Sequence, residues 1–107
     1  MSMGKPPDIT ERTFEFAVRV VKLSQVLDEQ PGAGRTLSRQ LIRSGTSIGA
    51  NVEEAQSGES RADFISKLQI ALKEARETRY WLRLLIATQL IPENRLSPLL
   101  EESEELI

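Results

Sequence analysis

The stretch that most constrains this chain is Arg61 to Ile91, which contains neither Gly nor Pro. Leu, Ala, Glu, Arg and Lys dominate it, and these residues lose little freedom on entering a helix. Ser60 followed by Asp63 resembles a capping box with Asp in place of Glu, and Gly58 is placed to close a preceding helix. The pattern predicts one long helix with two seams at alternating four- and three-residue steps. Phe64, Leu68, Ala71, Ala75, Thr78, Leu82 and Leu85 form an almost wholly apolar seam, with small residues in its middle for close helix approach. Ile70, Glu74, Glu77, Trp81, Leu84 and Thr88 form a second, apolar at both ends with two carboxylates between.

A surface helix of a monomer needs one apolar stripe. A helix apolar nearly all round, as Tyr80 to Ile91 almost is, must be covered on more than one side. Ile70, Glu74, Glu77, Trp81 and Leu84 are therefore a candidate oligomer interface. The alternative is that Trp81 and Leu84 only meet another helix of the same chain.

The rest of the chain divides around this helix. Residues 1–7 are expected to be disordered. Asp8 with Glu11 marks the start of a helix over about 9–29. It too has two seams: Phe14, Ala17, Val21 and Ser24 on one, and Ile9, Phe16, Val20, Leu23 and Leu27 on the other. The second is the more apolar, and Phe16, Val20 and Leu23 join the candidate oligomer interface. Pro31, Gly32 and Gly34 make a turn. A second helix over about 35–57 has Leu37, Leu41, Gly45, Ile48 and Val52 as its core face. Gly inside a helix costs about 1 kcal/mol relative to Ala, so Gly45 and Gly49 are expected at a tight helix crossing that offsets it. A break near Gly45 is the competing reading. Pro92 ends the long helix, and Ser97-Pro98 reads as the N-cap and first residue of a short fourth helix, 97–106, burying Leu99, Leu100, Leu106 and Ile107. Four helices with short connections predict an all-α, antiparallel up-down-up-down bundle over residues 8–107.

Composition narrows the chemistry. The chain has 107 residues, one domain's worth, and neither Cys nor His. That removes thiolate metal sites, Cys nucleophiles and the commonest general base and transition-metal ligand. Glu53, Glu54, Glu74 and Glu77 lie on the second and third helices, but a di-iron bundle needs Glu-x-x-His pairs. No phosphate loop, nucleophile elbow or catalytic set is present. We expect no enzyme activity, cofactor or metal. No apolar run approaches the roughly 20 residues that span a bilayer, so a cytoplasmic protein without a membrane partner is expected.

The formal charge of −2 hides an asymmetry. Five acids and one base follow Pro92, leaving 13 bases and 11 acids before it. Arg35, Arg39 and Arg43 recur at four-residue spacing on the outer face of the second helix. Lys73, Arg76 and Arg83 lie along the third. Arginine suits phosphate, and a modest patch is multiplied in a ring of identical subunits, so these six are candidate RNA or DNA contacts. The plainer alternative is a solvated face of ion pairs. Ser47, Asn51 and Glu54 share one side of the second helix and are a candidate buried polar network.

Ser47-Ile48 with Asn51 and Glu54, then Asp63-Phe64, then Ala71 with Glu74, Glu77 and Leu82 make a combined pattern. In these elements most of the chain, about Phe14 to Ile107, resembles the 23S rRNA intervening-sequence protein family. The chain departs from the family pattern at Glu54-Ala55, where Glu-Gly is usual, and in its short fourth helix. The resemblance implies a four-helix bundle assembled as a ring, most simply a homopentamer, and no established activity. A related branch, the accessory proteins of diversity-generating retroelements, shares the fold and binds nucleic acid and a reverse transcriptase. The expected function is a non-enzymatic oligomeric bundle that binds RNA or DNA through its basic faces. The alternative is an adaptor ring for protein partners with no nucleic-acid role.

Overall fold

The computed structural model describes residues 8–107; the segment expected to be disordered lies outside them. The described residues form four helices and no strand: α1 (Ile9–Leu27), α2 (Ala33–Gln56), α3 (Arg61–Thr88) and α4 (Glu93–Leu106). Local chemistry sets most of the ends. The Glu11 N–H donates to Asp8 Oδ1 (2.9 Å), and the Asp63 N–H donates to Ser60 Oγ (3.0 Å). Each bond satisfies a donor that a helix start leaves without a partner. Gly32 turns the chain into α2 with φ of 83°, a left-handed value natural to glycine. Gln89 ends α3 in the same region, at φ 57°. Gln30 Nε2 donates to the Leu90 carbonyl (3.0 Å), tying the α1–α2 turn to the α3–α4 turn.

Each helix packs antiparallel on its sequence neighbours, α2 most extensively, and α4 returns to touch α1. Phe16, Val20, Leu27, Leu41, Leu82, Leu85 and Leu96 are wholly buried in one core. α2 runs unbroken through its small-residue middle. A Cβ built on Gly45 would lie 2.8 and 2.9 Å from the two γ-methyls of Val20. One on Gly49 would lie 3.2 Å from the Thr13 carbonyl oxygen. The two glycines thus form the recess that admits α1, as their expense in helix propensity led us to expect.

Four expectations need correction. Phe16, Val20 and Leu23 are not an oligomer surface but the core of the protein's own bundle. The other α1 seam faces largely outward, with Phe14 59 % and Val21 39 % exposed, although its Ser24 is buried. Phe64 is exposed and Leu68 half-buried, although both continue the α3 core seam. The reason is length: α4 is 14 residues against 28, about 21 Å against about 42 Å, and stops before the N-terminal half of α3. α4 starts at Glu93 rather than Ser97, leaving Pro98 inside it. Burial of Ile91, Leu96, Leu99 and Ser103 pulls the start back, and the Pro98 ring faces solvent. Ile107, expected inside, is exposed, and Leu100 and Leu106 are half-buried.

Candidate nucleic-acid interface

The basic candidates separate by environment. Arg43 is tied to its own chain: Nη1 lies 3.2 Å from Glu74 Oε1, and Nη2 pairs with Glu77 Oε1. Trp81 Nε1 donates to the same Glu77 oxygen (3.3 Å). The Arg43 hydrogen bond holds the Glu77 carboxyl below its usual range. This cluster joins α2 to α3 across the second seam, so Glu74 and Glu77 are satisfied within the chain. Arg35 Nε donates to the Asp28 carbonyl (2.9 Å) and fastens the α1–α2 turn. Of the α2 trio, only Arg39 is exposed without an ion pair or side-chain hydrogen bond among the described residues. The three do not act alike: Arg43 is held in ion pairs, while the carbonyl that Arg35 meets leaves its charge unneutralised.

The α3 candidates differ. Lys73, Arg76 and Arg83 are all exposed, and none makes an ion pair among the described residues. They fall on the single helix line 73, 76, 80, 83, 87, in step with exposed Tyr80 and Ala87. Tyr80 and Arg83 border a cleft of about 390 Å³, completed by Leu84, Ile86, Ala87 and Leu100 of α4. Tyr80 was not among the sequence candidates, although its spacing from Lys73, Arg76 and Arg83 could have nominated it. The Leu100 wall had no such signal, since it depends on where α4 docks.

The remaining interface candidates keep varied exposure. Ile70 is 38 % exposed, while Trp81 and Leu84 are half-buried beside α2 and α4. Ser47, Asn51 and Glu54 form no network. Ser47 Oγ donates to the Arg43 carbonyl (2.6 Å), Asn51 Nδ2 to the Ser47 carbonyl (2.8 Å), and Glu54 is exposed. Ser and Asn satisfy themselves on the preceding helical turn when no partner helix faces them. Buried polar contacts between helices lie elsewhere: Thr78 Oγ1 donates to Ser44 Oγ (2.9 Å), both wholly buried, and Ser38 Oγ donates to the Ser24 carbonyl (3.3 Å). A further contact with no sequence signal joins α1 to α4. Arg12 Nη2 and Nε reach the two carboxylate oxygens of Glu102 at 2.8 and 3.1 Å, 90 residues away in the chain. Among the described residues, no helix is long and apolar enough to cross a membrane.

Comparison with known proteins places this bundle. No curated protein sequence matches the chain. It is similar to a protein of unknown function from the S23 ribosomal protein family of Bacteroides thetaiotaomicron VPI-5482, whose crystal structure is known at 1.70 Å resolution. The two share 48 % identity over 92 % of this chain and 91 % of that one, with a TM-score of 0.85. The model of the 23S rRNA-intervening sequence protein family matches residues 6–107, and this chain belongs to that family.

Proposed function

We propose that this protein is a non-enzymatic homo-oligomer, a pentameric ring in the simplest case, that binds nucleic acid along the outer face of α3. The observation that carries the reading is the contrast among cations. Arg12 and Arg43 are spent on Glu102, Glu74 and Glu77, whereas Lys73, Arg76 and Arg83 stand exposed in one line. A line of unpaired cations attracts polyanions, and repetition around a ring multiplies a weak site. The relatives' names, with their 23S rRNA intervening sequence and S23 ribosomal protein, make RNA the first polyanion to test. Association is supported by the outward seam of α1, where Phe14, Val18 and Val21 leave apolar surface uncovered. α1 and α3 stand diagonally across the bundle with α2 and α4 between them, so their outward faces are separate.

The test is fluorescence anisotropy with short RNA and DNA across a salt series, on protein whose mass is measured by light scattering. Binding should weaken steeply with salt and be lost in the triple variant Lys73→Gln, Arg76→Gln, Arg83→Gln. Binding that survives the triple variant would remove the α3 face as the site, and none at low salt would remove the nucleic-acid reading. Phe14→Ser with Val21→Ser should lower the mass while leaving helix content intact. An unchanged mass would exclude the α1 seam as the interface.

A second reading rests on a different observation. Phe64, Ile65 and Ile70 are exposed on the N-terminal half of α3, beyond the reach of α4. An adaptor would seat a protein partner there, and its affinity would be insensitive to the triple charge variant.

A further inference from the structure

The line of cations on α3 is interrupted by an aromatic ring at the edge of an apolar cleft, and that combination selects among nucleic acids. We propose that the α3 face takes single-stranded nucleic acid, with one unpaired base stacked on Tyr80 in the cleft and the flanking phosphates on Lys73, Arg76 and Arg83. The inference rests on the nucleic-acid reading above and narrows it to a strand type.

Three features support it. Lys73 to Arg83 spans about 15 Å of helix, a length that serves a few consecutive phosphates. Tyr80 lies within that span, 54 % exposed, and its hydroxyl makes no hydrogen bond among the described residues. Its ring sits edge-to-face with Trp81, centroids 5.2 Å apart, a contact that favours this orientation before a ligand arrives. The cleft beside it has the size of a small-molecule site and a mostly apolar lining, with Arg83 as the charged group at its rim.

An aromatic face bordered by cations is the arrangement that single-strand binders use, since every base has a π-face and every nucleotide a phosphate. A duplex cannot use Tyr80 because its base faces are already stacked. It could engage only the cations, and one helix line offers too few for a strong grip. A second copy of this chain is the other occupant such a cleft could take. The charged rim favours a phosphate-bearing ligand over an apolar helix, because burying Arg83 costs its hydration unless an anion meets it.

The deciding experiment compares single-stranded and duplex oligonucleotides of matched length by anisotropy, for the wild type and for Tyr80→Ala, Tyr80→Phe and the triple charge variant. Far-UV circular dichroism and light scattering accompany each variant. Tyr80→Ala should weaken single-strand binding by about fivefold or more and leave duplex binding within about twofold, the loss expected for one stacked base. Tyr80→Phe should restore it, since it retains the ring. The triple variant should weaken both strand types and flatten the salt dependence. If Tyr80→Ala binds like the wild type, or loses duplex affinity equally, stacking is overturned while the basic-face reading stands. If the wild type binds neither strand type at low salt, both fall. If Tyr80→Ala lowers the oligomer mass, the cleft belongs to a second copy and the proposal is overturned.

Discussion

The α1–α2 crossing makes a prediction whose sign depends on the background. Gly45→Ala should gain about 1 kcal/mol of helix propensity. Against that, the new Cβ would lie 2.8 and 2.9 Å from the methyls of Val20, which is wholly buried. Val20 is β-branched, so it cannot rotate away cheaply, and its backbone is held close where Gly49 meets Thr13. Overpacking of this kind costs about 1–3 kcal/mol, so Gly45→Ala should be destabilising by about 1 kcal/mol net. Val20→Ala alone removes two buried methyls and leaves a cavity, for a loss of about 2–3 kcal/mol. In the Val20→Ala background the clash is gone and the propensity gain remains. Gly45→Ala should then be neutral or stabilising, a coupling of 1 kcal/mol or more between residues in contact. Urea unfolding followed by Trp81 fluorescence and far-UV circular dichroism reads all four species. Protomer concentration is held fixed because the proposed self-association would add to apparent stability. Equal effects of Gly45→Ala in the two backgrounds would refute the argument, because additivity means the two side chains do not compete for the same space.

Two further predictions concern α3 and α4. The Glu77 carboxyl titrates below its usual 4.5 because Arg43 hydrogen-bonds it, so its stabilisation is present above that pH and is lost as pH falls through the lower folded-state value. The difference in urea midpoint between wild type and Glu77→Gln should shrink below about pH 4.5; a constant difference down to pH 3 would show that the pair contributes nothing to folding. Pro98→Ala should stabilise, by about 1–3 kcal/mol, because an exposed helix-interior proline gives way to a residue with an N–H and the best propensity. An unshifted thermal midpoint would mean that α4 is strained by other constraints.

Much of the architecture was legible before any coordinates. Gly and Pro marked the turns, Asp8 and Ser60 marked two helix starts, and the seams of α2 and α3 named Leu41, Ile48, Ala71, Ala75, Leu82 and Leu85 as interior. What covers the inward seam of α1 was not legible. The pattern ranks the Phe16 seam as the more apolar of the two, but apolarity alone does not say whether the protein's own helices or a second copy cover it. The choice was made by the recess at Gly45 and Gly49, a shape formed only when α2 is folded. The polar side chains show the same division. Bonds within a helical turn, such as Ser47 to the Arg43 carbonyl, follow from spacing. Arg12 with Glu102 and Thr78 with Ser44 depend on how helices are aligned.

The candidate site divides along the same line. Sequence alone determined that the chain is helical, lacks His and Cys, and carries cations at helical spacing on α2 and α3, because backbone propensity and side-chain period are local properties. Only the tertiary structure decided which cations are free. Arg43 and Lys73 read alike in one dimension, but antiparallel packing brings Glu74 and Glu77 to Arg43 and brings no carboxylate within ion-pair distance of Lys73 among the described residues. Likewise, docking of α4 placed Leu100 beside Tyr80 and made a cleft there. Charge pairing and concavity depend on distances between segments remote in sequence, and those distances exist only once the core has closed.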